Sequence, residues 1–365
     1  MDPLVREAML PYLDDHFGNP HSVNHSYGWN AAQAVRTARG QVAELIGADD
    51  HEIVFTSGAT ESCNLAIRGT VKPSGPYRNR IITVATEHPA VLETVQDLGC
   101  ADYDVAVLPV DNDGRLDLAH LERMLDDRTV LVSVMAANNE IGVLHPLHKI
   151  AELCHAQGAL VHTDATQASG RIEIDVDLWG VDLLSLSAHK VYGPKGIGAL
   201  YVRSGVPIEP IATGGGQEHG LRPGTVPAPL AVGFGAACRL ACEHWHQDAA
   251  RMSKLAGLLS DAVRRYCPDV RFFGDLRHRL PGSLSIGFPG ITADEVIEIV
   301  SDRIAISTGS ACSSGTAEPS KVLLALGLDR ETAATGVRIS LGRFTTDEEI
   351  EAAIGALAEV STIAA

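Results

Sequence analysis

A chain of 365 residues, 45% hydrophobic, is long enough to bury a large core and to divide into two unequal domains. Its formal net charge of −17 argues against direct binding to nucleic acid, and no apolar run is long enough for a membrane span. Seven cysteines without disulfide-like spacing, and a start at Met1 to Leu10 that lacks the basic and apolar regions of a signal peptide, suit a reducing compartment, the cytoplasm.

Strand-like and helical patterns alternate from about Phe17 to His246, without repeats or low-complexity tracts, which is α/β order with a mainly parallel sheet. Ile53-Val54-Phe55 reads as a strand that runs into Thr56-Ser57-Gly58-Ala59-Thr60-Glu61, with a helical pattern through Ile67. Small residues let backbone N–H groups approach an anion at a helix N-terminus, so Gly58, Ala59 and Thr60 read as a phosphate cradle. The string is neither GxGxxG nor GxxxxGK[ST], so neither a dinucleotide nor a nucleoside triphosphate is indicated. Ile81-Ile82-Thr83-Val84, the next strand, leads into Thr86-Glu87-His88, where an imidazole would lie over a cofactor ring. A lone histidine is more often structural or solvated; its place at a strand end singles His88 out.

Ala159 to Asp164 is a further strand, followed by Ala165-Thr166-Gln167, and Val181 to Leu186 leads into Ser187-Ala188-His189-Lys190. The ends of parallel strands line one crevice, so Asp164 and Lys190 are expected to meet there. Lys190 is one of six lysines. Most lysines are solvated surface charge, and Asp164 taken alone could be a helix cap. Together, an acid facing a ring nitrogen and a lysine facing an aldehyde are the contacts that pyridoxal phosphate demands of a protein.

Past this region Cys238, Cys242, His244 and His246 cluster, but they read as one amphipathic helix from Pro229 onward, and no metal site is assigned. A helical pattern over Gln247 to Cys267 leads to a smaller α+β region with strands at Gly282 to Gly287 and Val337 to Leu341. Strand parity places residues 338 and 343 on opposite sides. The expected domains are a large cofactor-binding one over 12–248 and a small C-terminal one over 249–365, with residues 1–11 packing on the latter. Ser307-Thr308-Gly309-Ser310-Ala311-Cys312-Ser313-Ser314-Gly315 has little to bury and would leave the Cys312 thiol on an exposed segment.

Thr56 to Ser62, Asn138-Asn139-Glu140-Ile141-Gly142, Asp164 to Gln167, Ser187 to Gly196 and Val337 to Arg343 resemble, in order, the motif series of cysteine desulfurases, within the class V aminotransferase group. The Cys312 segment resembles the long-loop form of the housekeeping and nitrogen-fixation branch. The resemblance implies a pyridoxal-phosphate-dependent transferase of fold type I, with a mainly parallel large domain and a smaller α+β C-terminal domain. It implies that L-cysteine becomes L-alanine while its sulfur passes as a persulfide on Cys312 to an acceptor protein, such as a scaffold or thiolation enzyme for iron–sulfur clusters, tRNA or DNA. In that reading Lys190 carries the cofactor and moves the substrate proton, and Asp164 holds the ring protonated. His88 stacks, Asn139 and Gln167 bond the ring hydroxyl region, and Thr60, Ser187 and His189 hold phosphate. Arg338 grips the substrate carboxylate, with Asn139 beside it, and Thr225 comes from the second subunit of a homodimer.

Three departures from the family pattern stand out. Members usually open with a strand and loop resembling Tyr-Leu-Asp-Asn-x-Ala-Thr-Thr-Pro, whereas this chain starts at about the Asp-Pro that follows, and such a loop is expected to border the substrate pocket. Cys63 stands where Asp or Asn is more frequent, and Pro223 where a small residue is common. Alternative readings are a selenocysteine lyase, another class V aminotransferase, or a sulfur-carrier scaffold with impaired turnover.

Overall fold

The computed structural model describes residues 1–309 and 318–364. Two compact units make it up. The first comprises Met1–Leu108, Leu118–Ala136 and Pro146–Trp245, the second Pro109–Asp117, Ala137–His145 and His246–Ala365.

In the first unit, seven strands form one sheet among the described residues: β1 (Ile53–Thr56), β2 (Arg80–Val84), β3 (Asp104–Leu108), β4 (Thr129–Ser133), β5 (Leu160–Asp164), β6 (Leu183–Ser187) and β7 (Gly198–Val202). Their spatial order is β1-β7-β6-β5-β4-β2-β3. The run from β3 through β2, β4 and β5 to β6 is parallel, while β7 is antiparallel to both β6 and β1. Strands β4 and β6 are buried along their whole length, the pattern of a sheet covered on both faces. The helix Ala59–Val71 buries Leu65, Ile67 and Val71 among Val54, Leu131, Leu183 and Leu200. Each such aliphatic side chain stabilises the unit by about 1.5–3 kcal/mol.

Residues 1–11 belong to this unit and not, as expected, to the smaller one. The helix Pro3–Leu13 buries Val5 and Met9, and the Asp2 N–H donates to Tyr192 O at 2.9 Å. The helix Ala228–Tyr266 is continuous over 39 residues where the sequence pattern suggested two stretches. No proline or glycine pair interrupts it between them.

The second unit holds a four-stranded antiparallel sheet of order β10-β11-β9-β8, with β8 (Arg271–Phe272), β9 (Ser283–Gly287), β10 (Ser307–Thr308) and β11 (Gly336–Ser340). Leu284, Ile286, Val337 and Ile339 pack with Val296 and Leu357 of the helices Ala293–Val300 and Asp347–Ala364. Two stretches from the first half of the sequence join this unit: the Asp275 N–H donates to Asp113 O at 2.8 Å and the Leu144 N–H to His278 O at 3.0 Å. Strand β11 ends at Ser340, so the parity argument does not extend to Arg343. That side chain instead donates from Nε to Asp248 Oδ2 at 2.6 Å.

Candidate active site

The end of β1 turns through Ser57 and Gly58 into the helix Ala59–Val71. Gly58 has φ 153°, a conformation that strains any residue with a side chain. Thr56 Oγ1 accepts the Gly58 N–H at 3.3 Å and lies 2.8 Å from Ser62 Oγ, tying the turn to the first helical turn. Strand β7 brings Gly198 into register with Thr56 on one side and Ser187 on the other. A Cβ on Gly198 would stand 2.4 Å from Leu186 O and 2.7 Å from Gly58 Cα, so only glycine lets the turn approach the end of β6. Ser187 Oγ lies 2.8 Å from His189 Nδ1. Burial pulls the His189 imidazole below its ordinary value, and the Lys190 and Lys195 charges add to this. The sheet edge thus holds a helix N-terminus with Gly58, Ala59 and Thr60, and beside it the polar side chains of Ser187 and His189.

Strands β5 and β6 are adjacent and parallel, with Asp164 in register with Ser185. Asp164 Oδ1 accepts the Thr166 N–H at 2.9 Å. The capping type of contact is therefore present, although turns, not a helix, follow at residues 166–171. Lys190 closes the single 3₁₀ turn Ala188–Lys190 after β6. His88 N-caps the helix Pro89–Cys100, its Nδ1 accepting the Ala90 N–H at 3.1 Å. Burial lowers the His88 pKa; the Asp164 carboxylate opposes this and the Lys190 ammonium reinforces it. With Nδ1 accepting, the neutral ring carries its proton on Nε2. Asp164 and Lys190 are thus both within electrostatic reach of His88. Gln167 is half-buried three residues beyond Asp164, and Thr225 is exposed after the turn Glu218–Gly220.

Some supporting residues were not singled out in the sequence. His162 bridges three strands, Nδ1 lying 2.8 Å from Ser133 Oγ and Nε2 2.9 Å from Ser185 Oγ. Burial pushes it down to about 3, so it is neutral near pH 7. Glu87 accepts the Met135 N–H on Oε1 at 2.6 Å, while its buried Oε2 has no hydrogen-bond partner among the described residues. Burial raises this carboxyl well above the ordinary range; the Met135 N–H opposes that and the Asp164 charge adds to it. Polar residues inside apolar strand runs, His162 and Thr163 before Asp164, were the available signal.

The second unit holds Arg338 and Asn139. Arg338 on β11 faces Ser307 of β10 and Ser285 of β9, and its Nη1 donates to Asn139 O at 3.3 Å. Asn139 is half-buried in the turn that Asn138 organises. Cys312 lies outside the described residues. Cys238 is fully buried in the helix Ala228–Tyr266, and no cluster of three or more His, Cys, Asp or Glu among the described residues could hold a metal ion.

A family model described as aminotransferase class-V matches residues 1–353. The chain belongs to the class-V aminotransferase family. This family member is 47% identical over 356 residues to a cysteine desulfurase IscS of Rickettsia bellii (strain OSU 85-389), covering 97% of this chain and 87% of that one. It is 46% identical over 353 residues to a cysteine desulfurase of Homo sapiens, covering 96% and 77%. Among solved structures, a NifS-like protein superposes with a TM-score of 0.93 at 36% identity over all of this chain and 96% of the other. A structure titled "SspA in complex with cysteine" gives 0.83 at 36% identity, covering 95% and 97%. The expected type I fold of pyridoxal-phosphate enzymes is the fold observed, and the relatives' names do not favour the lyase, aminotransferase or scaffold alternatives.

These donors fit pyridoxal phosphate. The N-terminus of a 13-residue helix and the Ser187–His189 pair suit a dianion, and Asp164 suits a ring nitrogen. Thr166 Oγ1 beside Asp164 is buried with no hydrogen-bond partner among the described residues, a polar group left for a ligand to satisfy.

Proposed function

We propose that this class-V aminotransferase family member is a pyridoxal-phosphate-dependent cysteine desulfurase that converts L-cysteine to L-alanine and passes the sulfur to an acceptor protein. The reaction is supported by relatives of that name at 46–47% identity over nearly the whole chain. The chemistry is carried by one observation: Asp164 ends β5, Lys190 follows the adjacent parallel β6, and both act on the imidazole of His88.

Bound pyridoxal phosphate supplies an electron sink for the bond pair released next to the substrate carboxylate. In this reading Asp164 keeps a proton on the ring nitrogen, and the Gly58-Ala59-Thr60 N–H groups, Ser187 and His189 hold the phosphate. Asn139 and Gln167 bond the ring hydroxyl side. Lys190 Nζ carries the cofactor in the resting protein and takes the substrate α-proton. Arg338 binds the substrate carboxylate through a planar fork that suits it. The Cys312 thiolate then attacks the substrate sulfur. An S–S bond forms, the C–S bond breaks with its electron pair left on the β-carbon, one proton is added there, and Lys190 Nζ returns the α-proton to complete alanine.

The same reading makes the protein a homodimer, with Thr225 completing the phosphate site of the partner subunit, and places it in the cytoplasm. The described cysteines are free thiols, which supports a reducing compartment. The test is an assay of alanine and sulfide from L-cysteine with a thiol reductant, where equal amounts of both are expected. Alanine without persulfide or sulfide, or neither product, would remove the desulfurase assignment.

A further inference from the structure

Glu140, in Asn138-Asn139-Glu140-Ile141-Gly142, has no part in the reaction just outlined, yet the residue is buried, only 8% exposed. Asn138 builds the turn that presents it: Oδ1 accepts the N–H groups of Glu140 at 2.8 Å and Ile141 at 2.9 Å. The backbone closes the same turn, with the Asn138 N–H donating to Val143 O and the Gly142 N–H to Asn138 O.

Three groups converge on this carboxyl. Ser320 Oγ donates to Glu140 Oε2 at 2.5 Å. A Cβ on Gly309 would stand 2.4 Å from that same oxygen and 3.1 Å from Ser320 Cβ. The Arg338 charge acts on it as well. Gly309 and Ser320 flank the stretch of sequence that contains Cys312. Ser320 also caps the helix Lys321–Ala325 by accepting the Leu323 N–H at 3.2 Å, and Gly309 follows β10, whose Ser307 pairs with Arg338.

We propose that Glu140 is a positioning residue for sulfur transfer: its carboxyl bonds Ser320 and packs against Gly309, either side of the Cys312 stretch, and so holds the two flanks together. The inference rests on the cysteine desulfurase reading. A serine hydroxyl donating to an ionised carboxylate is roughly twice as strong as the same bond to a neutral acceptor. Burial pushes Glu140 up to about 7, with Ser320 and Arg338 pulling it back, so the tie is strongest above that pH and weakens below it.

The test uses full-length holoenzyme and the variants Glu140→Gln and Glu140→Ala. Hydrogen–deuterium exchange is read at Gly309 and Leu323, and alanine formation across about pH 6 to 9. Glu140→Ala should speed exchange at both amides and lower kcat about tenfold, with KM for L-cysteine changed by less than about threefold. Glu140→Gln keeps an acceptor for Ser320 but cannot titrate. It should retain the protection and lose the inflection in kcat near neutral pH that wild type shows. Wild-type exchange in Glu140→Ala, or an inflection that persists in Glu140→Gln, would overturn the proposal. Exchange reports whether or not cysteine is turned over, so an inactive wild type would sink the desulfurase reading while the exchange data still decide for or against Glu140. If Glu140→Ala does not fold, the pH profile of Glu140→Gln decides alone.

Discussion

Thr56 and Ser187 flank Gly198 in register, so the C-terminal ends of β1 and β6 are held at one sheet edge by a strand running the other way. The close approach depends on the missing side chain. Gly198→Ala places a Cβ against Leu186 O and Gly58 Cα and should destabilise the protein by about 1–3 kcal/mol. It should also weaken pyridoxal phosphate binding to the apoprotein about tenfold, because the Gly58 turn must shift. Titration of refolded apoprotein checks this. Wild-type affinity in a measurably destabilised variant would detach the turn from the phosphate.

Lys190→Ala should abolish turnover and the visible absorbance of lysine-linked cofactor. Borohydride reduction of wild type followed by mass spectrometry should place the cofactor on Lys190; label on Lys195 or another lysine would refute the assignment.

Cys312→Ser keeps the side-chain volume while removing the strong nucleophile. The variant should still bind L-cysteine, seen as a change in cofactor absorbance, and release sulfide at least about a hundredfold more slowly. Persulfide found instead on Cys63, Cys238 or Cys242 would move the acceptor. Burial raises the Cys63 and Cys238 thiols well above their usual range, which argues against either.

The shared site is tested with a mixed dimer. Lys190→Ala chains lack the linking amine, and Thr225→Asp chains repel phosphate, so each homodimer should be nearly inactive. Subunit exchange puts both defects in one site, leaving the other intact, and should restore up to about half of wild-type activity per mixed dimer. No recovery at any mixing ratio, with exchange verified by native mass spectrometry, would take Thr225 out of the site.

His145 makes stability depend on pH. Both its ring nitrogens are buried, and neither has a partner among the described residues; burial pushes its pKa down from 6.5 to about 4. Below 6.5 the unfolded chain binds a proton that the folded one refuses, so this contribution is full above 6.5 and is lost as pH falls toward 4. By about pH 5 the loss is about 2 kcal/mol. His145→Phe should flatten the fall in urea stability between about pH 7 and 5 by that amount. An unchanged slope would mean that His145 is solvated.

The chemistry was legible because it is local. Each of Thr60, His88, Asp164 and Lys190 lies within five residues of an apolar strand run, and a strand end followed by small or polar residues is a short-range signal that needs no knowledge of neighbours. The supporting contacts were not legible. Glu140 and Ser320 are 180 residues apart, and Glu87 meets Met135 across 48. Neither pairing leaves a trace in periodicity.

What the sequence determined by itself was the alternation of strands and helices, the mainly parallel sheet and the residues at the strand ends, since these follow from the period of apolar side chains and from turn chemistry. Only the tertiary structure decided the reversed strand β7 between β1 and β6. It also decided the transfer of Pro109–Asp117 and Ala137–His145 to the second unit, and the place of residues 1–11 in the first. Strand order, register and unit membership come from which buried surfaces fit together over long separations. Free energy of that kind belongs to pairs of distant segments and is written in neither one alone.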